Sequence, residues 1–140
     1  MTETHKASDS QIAQMIEVAN KAKENSYSPY SKFRVGAALL CKDGSIWPGA
    51  NIENCSYPAG TCAERSAICC ANANGHRDYV SILITSDIKD DFISPCGICR
   101  QAIAEFGNIE VIMTTANGGI KKMHISELLP MAFTPADLTK

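Results

Sequence analysis

Val80-Ser-Ile-Leu-Ile-Thr85 is followed by Ser94-Pro-Cys96-Gly-Ile-Cys99-Arg-Gln-Ala-Ile-Ala-Glu-Phe106-Gly107 and then by Ile109-Glu-Val-Ile-Met113. The first run is short and mostly β-branched, which suits a strand buried on both faces. The second opens on Ser-Pro and closes on Gly, the punctuation of a helix. The third is again strand-sized and apolar. A helix between two strands of this kind implies a sheet covered by helices on its faces.

The same pattern extends in both directions. Phe33 to Cys41 is rich in Val, Ala and Leu, and Asp43-Gly44 supplies a tight hairpin turn to a strand over about Ser45 to Asn51. Pro48 in that strand suggests a sheet edge or a bulge. Residues 62–73 favour helix, with Thr61 as expected N-cap and Asn74-Gly75 as the stop. Ahead of all this, Ile12, Met15, Ile16 and Ala19 recur at helical spacing, so residues 10–25 read as an amphipathic helix capped by Asp9 or Ser10. Downstream, Asn117-Gly-Gly119 makes a turn, Ile120 to His124 a last strand, and Ser126 to Leu129 a short helix stopped by Pro130. The expectation is a single domain over 1–140 with residues 1–9 as a flexible tail.

A chain of 140 residues with 45% hydrophobic and 20% charged residues has an ordinary globular composition. Thirteen Lys+Arg against fifteen Asp+Glu give a net charge of -2, which leaves no cationic excess to neutralise several phosphates. Long nucleic acid is thereby disfavoured as a partner. The first eleven residues are polar, without the apolar segment of a secretory signal, and no apolar run approaches a membrane span. These features predict a cytoplasmic protein without a membrane partner. In a reducing compartment the seven cysteines stay thiols and must pack, bind metal or do chemistry.

Two cysteine groups stand at expected helix starts, Cys62-Ala-Glu64-Arg65 and Pro95-Cys96-Gly-Ile-Cys99-Arg-Gln101. The helix dipole and unpaired N–H groups there favour thiolates. Cys96 and Cys99 are one turn apart, and Cys62 can add a third sulfur if the two helix starts lie side by side. Three ligands leave one tetrahedral position open, as in catalytic zinc sites, and Glu64 can stand beside that position as a proton carrier. Alone, a C-x-x-C is more often a structural zinc half-site or a redox pair. Cys41, Cys55, Cys69 and Cys70 are expected to be buried or incidental thiols.

Taken with Tyr27-Ser-Pro-Tyr-Ser-x-Phe33-x-Val-Gly-Ala-Ala38, Gly49-Ala-Asn51-Ile-Glu53-Asn54 and Glu127-Leu-Leu-Pro-x-x-Phe133, these motifs resemble the zinc-dependent cytidine deaminases of the short, homotetrameric type, in that family's order. The resemblance implies an α/β fold, a three-layer α/β/α sandwich with a mixed, roughly five-stranded sheet. It implies Zn²⁺ held by Cys62, Cys96 and Cys99 to activate water against C4 of cytosine, with Glu64 moving the protons. It places Arg65 and Gln101 as donors to the ligand sulfurs, Asn51 and Glu53 on the ribose 3′-hydroxyl, and the Ala63 N–H on the ring carbonyl. Phe33 and Phe133 would sandwich the pyrimidine, and Phe133 and Tyr57 would reach a neighbouring subunit's site. The expected reaction is hydrolytic deamination of cytidine and 2′-deoxycytidine in pyrimidine salvage. A deaminase of a modified cytosine nucleoside such as blasticidin S, a non-catalytic zinc-stabilised module and a C-to-U RNA editor are the rivals. The first would not need Asn51 and Glu53, the second gives Glu64 no task, and the acidic balance weakens the third.

Overall fold

The computed structural model describes residues 5–139. Its elements are α1 (Asp9–Lys23), β1 (Val35–Cys41), β2 (Ile46–Ala50), α2 (Ala63–Ala73), β3 (Tyr79–Ser86), α3 (Gly97–Ala104), β4 (Glu110–Thr114), β5 (Ile120–His124) and α4 (Ile125–Leu128), with 3-10 turns at Tyr57–Ala59 and Pro135–Thr139. The strands form one five-stranded sheet in the order β2-β1-β3-β4-β5. Only β3 and β4 run parallel, joined through α3, and the other pairs are antiparallel. The sheet is therefore mixed.

Period-two alternation builds two cores. Val35, Ala37, Leu39 and Cys41 of β1 pack with α2 and α3, whereas Ala38 and Leu40 pack with Ile12, Met15 and Ala19 of α1 on the other face. With α1 on one side and α2 and α3 on the other, the protein is a three-layer α/β/α sandwich. β1, β3 and β4 are buried along their whole length, as their continuous apolar runs require. Pro48 falls on the edge strand β2, and the opposite edge, β5, exposes Lys121 and Lys122, charges that discourage edge-to-edge pairing.

Two glycines permit the layers to close. A Cβ on Gly36 would lie 2.0 Å from the Ala19 carbonyl oxygen of α1. One on Gly49 would lie 2.3 Å from the Ala63 carbonyl oxygen and 2.4 Å from the Ala67 nitrogen of α2. Only a residue without a side chain lets backbone approach backbone this closely.

The helix starts differ from the sequence expectation. Helix α1 is capped by Ser8, whose hydroxyl accepts from the Gln11 N–H at 3.1 Å while the Gln11 side chain accepts from the Ser8 N–H at 2.9 Å. This reciprocal capping box satisfies two otherwise unpaired donors, which neither Asp9 nor Ser10 would do. Helix α2 is capped by Cys62, not Thr61, because the Thr61 backbone is engaged as an extended bridge with Ile52. Of the stretch 1–9 expected as a flexible tail, residues 1–4 lie outside the described residues. The remainder is tied down: Ala7 is buried and donates its N–H to Glu110 at 2.9 Å, and the His5 carbonyl lies 3.0 Å from His124 Nε2. Among the four cysteines expected as packing thiols, Cys41 is buried, but Cys55 and Cys69 are exposed and Cys70 is half-buried. No helix among the described residues is long and apolar enough to cross a membrane.

One surface cluster sits where the C-terminal end of α1 meets the end of β3. Arg34 donates to Asp87 from Nε at 2.9 Å and Nη2 at 3.0 Å, and Lys23 Nζ lies 2.9 Å from the same carboxylate. First Arg34 and then Lys23 hold the Asp87 carboxyl down to about 2, from an ordinary 3.8. A depressed carboxyl contributes stability above its unfolded value and loses it as pH falls through the folded one. Asp87→Asn is therefore expected to cost about 1 kcal/mol at pH 7, allowing for solvent screening of a half-exposed group. The gap from wild type in denaturant melts should close between pH 4 and pH 2, and a gap that stays constant with pH would exclude the ion cluster as its origin.

Candidate active site

The N-termini of α2 and α3 stand side by side on one face of the sheet. Cys62 and Cys96 are their N-caps, both with extended backbone and neither using its side chain to cap its helix, so both sulfurs are left to face each other. Cys62 Sγ and Cys96 Sγ are 3.8 Å apart, and the Cys62, Cys96 and Cys99 sulfurs all lie within 4.8 Å of one another. Two Zn–S bonds of ~2.3 Å at a tetrahedral angle separate their sulfurs by ~3.8 Å, so the triad fits a zinc ion in spacing and in donor chemistry. Cys99 is fully buried, Cys62 half-buried and Cys96 exposed, which leaves one side open to a small molecule.

The three thiols share protons unequally. The Cys62 thiol is drawn down to about 5, first by a hydrogen bond from Cys99 and then by Arg65 and Cys96, against the opposing effect of burial. Cys99 is pushed up, first by its bond to Cys62 and then by burial. Arg65, one turn into α2, sets Nη2 3.7 Å from Cys62 Sγ, and its buried Nε has no oxygen or nitrogen partner. A guanidinium against this cluster offsets the negative charge that three thiolates would accumulate.

Glu64 is 4% exposed. Burial raises its carboxyl to about 7, with the Cys62 thiolate adding to the rise, while its own backbone N–H and Arg65 oppose. Ala63, the first residue of α2, is buried, and an N–H at that position has no partner within its helix.

The segment expected to read a sugar does structural work too. Asn51 Oδ1 accepts from Ser26 Oγ at 2.5 Å and from the Val35 N–H at 3.0 Å, and Nδ2 donates to the Phe33 carbonyl at 2.8 Å. One amide hydrogen is left for a ligand. Glu53 Oε1 accepts the N–H groups of Tyr30 and Ser31 at 3.0 and 3.1 Å, and Oε2 accepts the Ser31 hydroxyl. The two side chains thus fasten the loop before β1, which carries Phe33 into the core beside α2. Glu53, Tyr30, Tyr57 and Asn54 line a cavity of about 420 Å³. Tyr57 is 77% exposed and Phe133 58% exposed. Gln101 departs from its expected place at a ligand sulfur: its Nε2 donates to the Phe133 carbonyl at 2.7 Å. Arg100, Ser26 and Ser31 also make hydrogen bonds here, with no role expected from the sequence. Arg100 lies inside the second cysteine motif, yet two of its partners are backbone carbonyls, which leave no trace in residue spacing.

The family description "Cytidine and deoxycytidylate deaminase zinc-binding region" matches residues 9–115, a stretch that includes all three sulfurs and Glu64. The chain belongs to this family. It is 48% identical over 126 residues to a cytidine deaminase of Halalkalibacterium halodurans, covering 89% of this chain and 95% of that one. The crystal structure of cytidine deaminase from Burkholderia pseudomallei superposes with a TM-score of 0.82 at 41% identity, covering 86% of this chain and 98% of that one. A blasticidin-S deaminase of Bacillus cereus is more distant, at 31% identity over 89% of this chain and 93% of that one. The family is a zinc-binding one, and the Cys62, Cys96 and Cys99 cluster fits a zinc site.

Proposed function

We propose that the chain is a zinc-dependent deaminase that hydrolyses cytidine and 2′-deoxycytidine to uridine and 2′-deoxyuridine with release of ammonia. The observation that carries this reading is the buried Glu64 beside three converging sulfurs, a carboxyl that burial raises to about 7. When bound, zinc supplies the Lewis acidity that makes water nucleophilic at neutral pH. Glu64 accepts the proton that water gives up and passes it to ring N3 as oxygen bonds to C4, then carries the proton of the new C4 hydroxyl to the amine, which leaves as ammonia when the C4–N bond breaks and the carbonyl forms. A carboxyl balanced near pH 7 can do both, whereas one at its ordinary value would donate poorly. The Ala63 N–H holds the ring carbonyl, and Asn51 and Glu53 hold the ribose 3′-hydroxyl with the hydrogen and lone pair their internal bonds leave. Reading the 3′- and not the 2′-hydroxyl admits both sugars.

The finer parts of the reading are a homotetramer with sites shared between subunits, a role in pyrimidine salvage and a cytoplasmic location. Support for the assembly comes from exposed Tyr57, Met131 and Phe133, which leave apolar surface that a second copy would cover. Phe133→Ala is expected to raise KM for cytidine about 5- to 150-fold, from ~1–3 kcal/mol of base stacking, with the zinc content unaltered. An unchanged KM in an intact tetramer would remove Phe133 from the substrate.

Ultraviolet monitoring of the zinc-loaded protein with cytidine, deoxycytidine, adenosine, cytidine monophosphate and blasticidin S tests the activity. Turnover of the first two is expected. Turnover of blasticidin S without cytidine would replace the proposal, and no turnover of any would leave the zinc module.

A further inference from the structure

Arg100 follows the buried Cys99 in α3, and its guanidinium spends donors on three acceptors in two segments. Nε donates to the Pro95 carbonyl at 2.8 Å, Nη2 to Ser94 Oγ at 3.1 Å and Nη1 to the Leu128 carbonyl at 2.6 Å. The first two hold the turn that delivers Cys96. The third satisfies a carbonyl at the end of α4, where no intrahelical partner exists and a cation is favoured. From that carbonyl the chain runs through Leu129 and Pro130, and past Met131 in a left-handed conformation at φ 54, to Phe133. There the next residue of α3, Gln101, takes up the Phe133 carbonyl.

Leu129 and Ala132 of the limb pack against the core cluster that includes Ile103 and Ala104 of α3, but a cavity remains beside that contact. Leu129, Met131, Ala132 and Thr134 line one side of a cavity of about 430 Å³ whose other side includes Ala104 and Glu105 at the end of α3. Apolar contact is non-directional and cannot fix where along α3 the limb sits, whereas a planar fork with three acceptors can.

We propose that Arg100 is a positioning residue that sets the two-cysteine turn and the limb bearing Phe133 in one register, so that one side chain fixes both the metal ligands and the aromatic group. The inference rests on the zinc deaminase reading for the roles of the two ends, but not for the tether. Loss of the fork loosens Cys96 at one end and frees residues 128–133 at the other.

The test compares zinc-loaded wild type, Arg100→Ala and Arg100→Lys by zinc release to a chromogenic chelator, amide hydrogen exchange of residues 128–133, and the kinetics of cytidine turnover. Arg100→Ala is expected to release zinc about tenfold faster, the size seen when a group that steadies a metal ligand is lost, to exchange the limb amides at least as much faster, and to raise KM for cytidine. Arg100→Lys, a point charge that serves one acceptor, should recover only part of each change, and it decides the matter if the alanine variant does not fold. Zinc release within twofold of wild type, or faster release with unchanged limb exchange, overturns the proposal. If wild type does not act on cytidine, the function reading fails alone, because zinc release and limb exchange still report on the tether.

Discussion

Glu64→Gln is expected to lower cytidine turnover by about 10⁴-fold while zinc content stays at the wild-type level, since proton transfer by a positioned group contributes up to this factor. The substitution keeps the shape and removes the charge. Glu64 is buried at the start of α2, where the cost of desolvating its charge outweighs the attraction of Arg65, so Gln should not unfold the chain and is expected to melt no lower than wild type. This separates the carboxylate from the metal. Atomic absorption measures the metal, calorimetry the fold, and ultraviolet change the turnover. Turnover within tenfold of wild type would remove Glu64 from the chemistry even if zinc and fold were normal.

Gly49→Ala, a change outside the site, should lower both stability and turnover. The added Cβ would meet backbone atoms of α2, the Ala63 carbonyl oxygen and the Ala67 nitrogen, and backbone cannot swing aside as a side chain can. The expected loss is about 3 kcal/mol, the upper end for overpacking. Because α2 is capped by Cys62 and carries Glu64 in its first turn, the same displacement shifts the candidate site, and a misplacement of about 1 Å can cost ~10²-fold in rate. Denaturant melts and turnover should therefore fall together. Gly97→Ala is the stability control, since a Cβ there meets nothing within 4 Å and the change removes freedom from the unfolded chain. Its stability should equal or exceed wild type. Equal stability of Gly49→Ala and wild type would mean that α2 is free to move on the sheet.

Most of the fold was legible because its signals are local. Continuous apolar runs marked β1, β3 and β4, and Ile12, Met15 and Ala19 marked the buried stripe of α1. The helix starts were less legible. Thr61 is a better cap than Cys62 by preference, but a bridge to Ile52 held its backbone extended and moved the start by one residue. Cys69 lies on the exposed side of α2, a fact that its type, usually buried, did not reveal.

The candidate site divides in the same way. The i, i+3 spacing of Cys96 and Cys99 at a helix start, and the Cys-x-Glu of residues 62–64, put the donors and the acid in place by local geometry alone. Only the tertiary structure brought Cys62 within 3.8 Å of Cys96, because that approach depends on α2 and α3 packing on one face of the sheet. Tertiary packing also decided that Glu64 would be desolvated, that Asn51 would spend three of its hydrogen-bonding positions on the chain itself, and that Gln101 would hold Phe133 and not a sulfur. Residue type fixes which groups a chain can offer. Burial and backbone partners, which the folded chain alone supplies, fix what each group is left free to do.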